Sequence, residues 1–112
     1  MTLHDKPLFV APNKVWDYLL NPDHPIGGAK ARFFLGVGYS RPQAEQLIAD
    51  LIRHGHQGTV TEEKQSPYGI KFVVDGPLLA PNGGAYPLRT VWLEQSPGTF
   101  VLLITAHLLD RP

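Results

Sequence analysis

The clearest periodic signal lies at 41–54, where Ala44, Leu47, Ile48, Leu51 and Ile52 recur at i, i+3, i+4, i+7 and i+8. That spacing stacks all five on one face of a helix. Ser40 followed by Gln43 resembles a capping box, His54 suits the negative end of the helix dipole, and Gly55 stands where a left-handed C-cap residue belongs. Earlier in the chain, Val15, Trp16, Leu19 and Leu20 predict a short helix over 14–20, capped by Asn13 and stopped by Asn21-Pro22. Phe33, Phe34 and Val37 give helical spacing to 29–37.

After Gly58 the period becomes two. Residues 59–64 are polar and begin with β-branched side chains, which suits an edge strand; Tyr68, Ile70, Phe72 and Val74 then alternate with Gly69, Lys71, Val73 and Asp75. Gly76-Pro77 is expected to bend the chain. Turns at 81–84 and 95–98 bound two further strands, 89–94 and 99–107. Helices first and strands afterwards predict an α+β domain, with short N-terminal helices packed on one face of a three- to four-stranded antiparallel sheet. Nothing repeats and no linker divides the chain, so 1–112 reads as a single domain. Trp16, Phe33, Phe34, Tyr68, Phe72 and Trp92 have helix or strand spacing and are expected in the core.

Composition narrows the function classes. Ten basic and ten acidic side chains give a formal net charge of zero, which removes the strongest electrostatic argument for nucleic-acid binding. The absence of cysteine excludes a disulfide scaffold, a thiolate zinc site and a cysteine nucleophile. Apolar runs such as 100–104 are far shorter than the roughly 20 residues of a membrane helix, and the first residues lack the pattern of a secretory signal. A cytoplasmic protein without a membrane segment is expected. The His54-Gly55-His56 pair reads as a water-facing helix end, since no carboxylate completes a ligand set at familiar spacing. Neither a metal nor a cofactor is expected.

Polar chemistry is concentrated in YLLNPDHPIGGAKARFF, 18–34. His24 precedes proline and is held extended, while Lys30 follows two glycines near a helix start, where free backbone N–H groups favour an anion. A histidine, a lysine and backbone donors thus suit one phosphate. The alternative is that His24 hydrogen-bonds its own loop backbone and Lys30 is solvated.

This stretch, followed by YGIKFVVDGPLLAPNG, RTVW and ITAH, resembles a family of small uncharacterised bacterial domains with the pattern YLLN, HP, G, KA, FF, YG, GPL, RTVW and TA. The order of elements is similar to that of the barnase, EndoU, colicin and RelE type of ribonuclease toxin domain. That resemblance implies a metal-independent endoribonuclease whose matching polar positions are His24, Lys30, Arg89, Thr90 and Thr105. Such cleavage needs a base for the ribose 2′-hydroxyl, donors for charge developing on phosphorus and an acid for the leaving oxygen. His24 is the expected base, Lys30 and Arg89 hold phosphate, Thr90 or Thr105 orients an oxygen, and His107 supplies the proton. Because Arg89 and Thr90 are neighbours on a strand, only one of them can face the site. A four-residue loop after Glu94 groups Thr90 with Leu103 and Thr105, and a three-residue loop reverses the grouping.

The reading favoured at this level is an RNA-acting, toxin-like domain with RNA and a cognate inhibitor as partners. The rival is a non-enzymatic interaction module of a small bacterial operon, binding the product of a neighbouring gene through the sheet edge at 59–64.

Overall fold

The computed structural model describes residues 2–109. Strand β1 (Leu8–Phe9) precedes α1 (Pro12–Lys14), which widens into a π-helical turn (Val15–Leu19). Next come α2 (Gly28–Gly36), a 3-10 turn (Arg41–Gln43) and α3 (Ala44–Gln57), then β2 (Thr59–Ser66), β3 (Gly69–Leu79), β4 (Ala85–Glu94) and β5 (Val101–Leu108). The strands form one sheet in the order β1-β5-β4-β3-β2. The α+β class is as expected, but the sheet has five strands and is mixed, because β1 runs parallel to β5. A two-residue strand offers no alternation to read. The ends of the expected domain, Met1 and 110–112, lie outside the described residues. Among the described residues, no helix is long and apolar enough to cross a membrane.

Several boundaries move for identifiable reasons. Pro12 opens α1 after Ala11, so Asn13 lies inside the helix rather than capping it; proline at a helix start forfeits only an N–H that has no helical partner. Ser40 makes no side-chain cap bond. Gly55 sits inside α3, where an added Cβ would lie 2.6 Å from both Leu8 and Trp92. The glycine is there for close packing, and the helix runs on to Gln57. β3 continues through Gly76-Pro77 because Pro77 pairs with Pro87 beyond the end of β2. The Pro87 carbonyl accepts from Leu109 at 2.8 Å, on the side away from β3, so this pair needs no N–H across the β3–β4 ladder.

Ala44, Leu47 and Leu51 are buried against the inner sheet face, with Ile48 and Ile52 half-buried at its flank. Phe72, Val74, Leu88, Trp92, Leu103 and Ala106 supply the facing side chains, and Phe34 closes the core from α2. Trp16 and Tyr68, expected inside, are exposed. The Arg41 guanidinium lies 5.3 Å from the Trp16 ring centroid and donates to the Trp16 carbonyl.

The turn between β4 and β5 is longer than expected: Glu94 pairs with Val101, which leaves six residues between them. Thr90 pairs with Ala106 and Val91 with Thr105, but Trp92 pairs with Leu103, so Ile104 is an extra residue bulged out of β5. Thr90 therefore faces inward with Leu103, while Arg89 and Thr105 belong to the outer face. Neither loop length considered from sequence produces that grouping, because both assume an unbroken period.

His54 is buried and does not face water. Its Nε2 donates to the Leu88 carbonyl at 2.9 Å, and its Nδ1 accepts from Thr90 Oγ1 at 3.1 Å, a hydroxyl that in turn accepts from Trp92 Nε1 at 2.7 Å. Burial pushes the imidazole below its ordinary value of 6.5, outweighing the opposite effects of the Leu88 and Gly76 carbonyls and of Asp75. A depressed folded-state value means that the unfolded chain binds the proton more readily. The His54 contribution is therefore complete above about pH 6.5 and declines as pH falls through the folded value. Urea unfolding at pH 7.5 and 5.0 should show a loss on acidification that is smaller in His54→Asn. Equal losses in the two proteins would remove His54 as its source.

Candidate functional site

Below the short β1 pairing, the π-helical turn runs along the open edge of β5. Lys14 Nζ donates to the Ile104 carbonyl at 2.9 Å, a group made available by the bulge. One turn later the Tyr18 hydroxyl lies 3.4 Å from Thr105 Oγ1 and accepts from Lys30 Nζ at 2.9 Å. The ammonium groups of Lys14 and Lys30 each lie 5.4 Å from the Tyr18 ring centroid. Gly27 is needed for this approach, because a Cβ there would run into the Tyr18 ring.

His24 stands edge-on to Tyr18, with ring centroids 5.0 Å apart. Its Nδ1 accepts from the backbone N–H groups of Ile26 at 3.0 Å and Gly27 at 2.9 Å. In the neutral ring the proton accordingly resides on Nε2. The His24 carbonyl also accepts from Gly28 N–H at 3.0 Å. Three backbone donors expected at the start of α2 are thus used by His24 itself. The loop-bonded alternative holds for His24, but Lys30 is bonded to Tyr18.

Lys14, Tyr18, His24, Ile26, Lys30, Ile104 and Thr105 line an open groove of about 550 Å³. No carboxylate is among them. The expected site residues divide into three places. His24, Lys30 and Thr105 converge on the groove. Arg89 lies on the outer face, where its Nε and Nη2 each bond an Asp75 oxygen at 2.8 Å. That bidentate pairing holds the Asp75 carboxyl below its usual range, against the opposing effect of partial burial. Thr90 is enclosed on the inner face beside His54 and Trp92. His107 pairs across the strands with Arg89 and is outside the groove lining.

Sequence reasoning missed Tyr18 and Lys14. Their signal is the i, i+4 spacing between them, which stands apart from the apolar stripe of Val15, Trp16, Leu19 and Leu20. Burial raises the Tyr18 hydroxyl's proton affinity, but the hydrogen bonds from Lys30 and Thr105 and the charges of Lys30 and Lys14 together bring it below the ordinary phenol value.

Residues 4–110 match the sequence model of a domain of unknown function, DUF6883. The chain belongs to the DUF6883 family. The curated proteins hold no match to it. Among solved structures, this DUF6883 domain is similar to a chain of the contact-dependent growth inhibition toxin–immunity protein complex from Klebsiella pneumoniae 342. The TM-score is 0.66 at 17% sequence identity, and the match covers 91% of this chain and 93% of that one. At that identity the likeness is one of fold.

Proposed function

We propose that the DUF6883 domain is a toxin-like, metal-independent endoribonuclease that grips an RNA phosphodiester in the groove between α1, α2 and β5. The observation that carries this reading is the convergence of Lys14, Lys30, Tyr18, His24 and Thr105 on a groove lined by no carboxylate. Two ammonium groups and oriented neutral donors suit a phosphate and its developing charge. They also provide a local cationic site that a net charge of zero does not reveal. His24 serves as a donor through Nε2 rather than as the base, since its other nitrogen is engaged by the loop. Lys30 and Lys14 hold the phosphate, and Thr105 fixes Tyr18. Arg89 supports the outer sheet face through Asp75, and Thr90 supports the core.

The test uses two His24 variants. His24→Asn retains a side-chain acceptor for the loop N–H groups but lacks the Nε2 donor. It should cleave RNA about 10²–10³-fold more slowly than the native chain, as is typical when one donor to a developing charge is removed. Its melting temperature should stay close to native, whereas His24→Ala should lose the loop bonds and melt earlier. EDTA should leave cleavage intact, because the groove offers no acidic ligands to a hard cation. Native RNA cleavage by His24→Asn, or RNA left whole by the unmodified folded chain, would overturn the reading.

A cognate protein partner is the second reading, supported by the neighbour's place in a toxin–immunity complex. The β2 edge is a poor seat for it. That edge carries Glu62, Glu63 and Lys64 and is interrupted by a bulge at Thr61, both of which discourage strand addition. An inhibitor covering the groove would instead protect RNA.

A further inference from the structure

We propose that Tyr18 is the proton acceptor of the cleavage step and Lys30 its proton donor, the two being joined by their direct hydrogen bond; this rests on the ribonuclease reading of the same groove. The reaction needs a group that takes the 2′-hydroxyl proton, and His24 has its acceptor nitrogen occupied by Ile26 and Gly27. Of the remaining groove side chains, the two lysines are donors and Thr105 is a poor base. Tyr18 is left, and its surroundings are arranged around a phenolate. Lys30 Nζ is 2.9 Å from its oxygen, Thr105 Oγ1 is 3.4 Å away, and Lys14 lies over its ring. The titratable or charged groups facing it are Lys14 from α1, Lys30 from α2 and His24 from the intervening loop; β5 contributes the neutral Thr105. The lowered proton affinity of the hydroxyl agrees with that geometry.

The step balances within the pair. The Tyr18 phenolate takes the proton of the ribose 2′-hydroxyl while that oxygen's electron pair forms a bond to phosphorus. The bond from phosphorus to the 5′-oxygen breaks with its electron pair, and the leaving oxygen takes a proton from the Lys30 ammonium. The products are a 2′,3′-cyclic phosphate and a 5′-hydroxyl. The Tyr18 hydroxyl then returns its proton across the hydrogen bond to the Lys30 amine, restoring both groups. The substrate must be RNA, since DNA lacks the attacking hydroxyl.

The experiment combines a titration that does not depend on turnover with a cleavage assay. In protein carrying ring-labelled tyrosine, the Tyr18 signal, assigned through Tyr18→Phe, should titrate at lower pH than the phenol of free tyrosine. In Lys30→Gln it should move upward. Tyr39 does not confuse the measurement, because burial and its bond to Asp50 keep its phenol protonated. Tyr18→Phe keeps the ring packing, and it should cleave RNA about 10²–10⁴-fold more slowly. The native rate should rise with pH through the midpoint seen in the titration. RNA with a 2′-O-methyl group at the cut site should bind and remain whole. If Tyr18 titrates at or above free tyrosine, or if Tyr18→Phe cleaves within threefold of native, the role is overturned while the ribonuclease reading stands. If the native chain leaves RNA intact, the ribonuclease reading fails and this role fails with it.

Discussion

Replacing Lys30 with alanine is expected to lower RNA cleavage by about 100-fold or more, with little change in stability. Lys30 is half-buried at the groove, and its ammonium is shared between the Tyr18 oxygen, 2.9 Å away, and the space where a phosphate would sit. Removing one well-placed donor to a developing charge typically costs 10²–10³ in rate. Lys30→Arg should fall between alanine and native, because a planar guanidinium keeps the charge but does not present the same compact donor. Single-turnover cleavage of a defined RNA, alongside thermal unfolding of each variant, separates the two effects. A Lys30→Ala protein that cleaves at the native rate would place the chemistry elsewhere. One that unfolds many degrees earlier would make Lys30 a structural residue.

The second large effect belongs to the core. Trp92→Ala should destabilise the fold by about 3–5 kcal/mol, the usual range for emptying a buried tryptophan position. Trp92 is fully enclosed, packs against Gly55 of α3 and donates to Thr90, so its loss opens a cavity and also removes the third member of the His54–Thr90 network. Against a total stability of about 5–15 kcal/mol for a domain of this kind, that is a large share. Urea unfolding monitored by far-UV circular dichroism gives the difference directly. A loss below about 1 kcal/mol would mean that α3 is held to the sheet by other contacts.

What was legible in the chain follows the range of the forces involved. The α3 face is written in local spacing, and Leu47 and Leu51 are buried as that spacing requires. The alternation of Phe72 and Val74 likewise marks the inner face of β3. His54 was misread because its environment is made by residues far along the chain: Leu88 and Thr90 bond the ring, and Trp92 demands the glycine beside it. A glycine that ends a helix and one that makes room for an indole look the same in sequence. The groove was half legible. His24 and Lys30 stand in one loop-to-helix segment, whereas the meeting of Tyr18 with Thr105 spans 87 positions and depends on an offset in β5. Arg89 and Thr90 drew attention through the family-like RTVW motif, but their partners Asp75 and His54 direct them away from that groove.

The offset in β5 separates folding from chemistry. Leu103 and Ala106 both face the core although they are three positions apart, a spacing that Ile104 alone creates. A chain lacking Ile104 would return to strict alternation, with Val101, Leu103 and Ala106 still inward, and would have every reason to fold. It would lose the carbonyl that anchors Lys14 and shift the approach of Thr105 to Tyr18. One residue that the core does not need therefore serves as a spacer for the groove, so a damaged site and an intact scaffold can coexist in the same molecule.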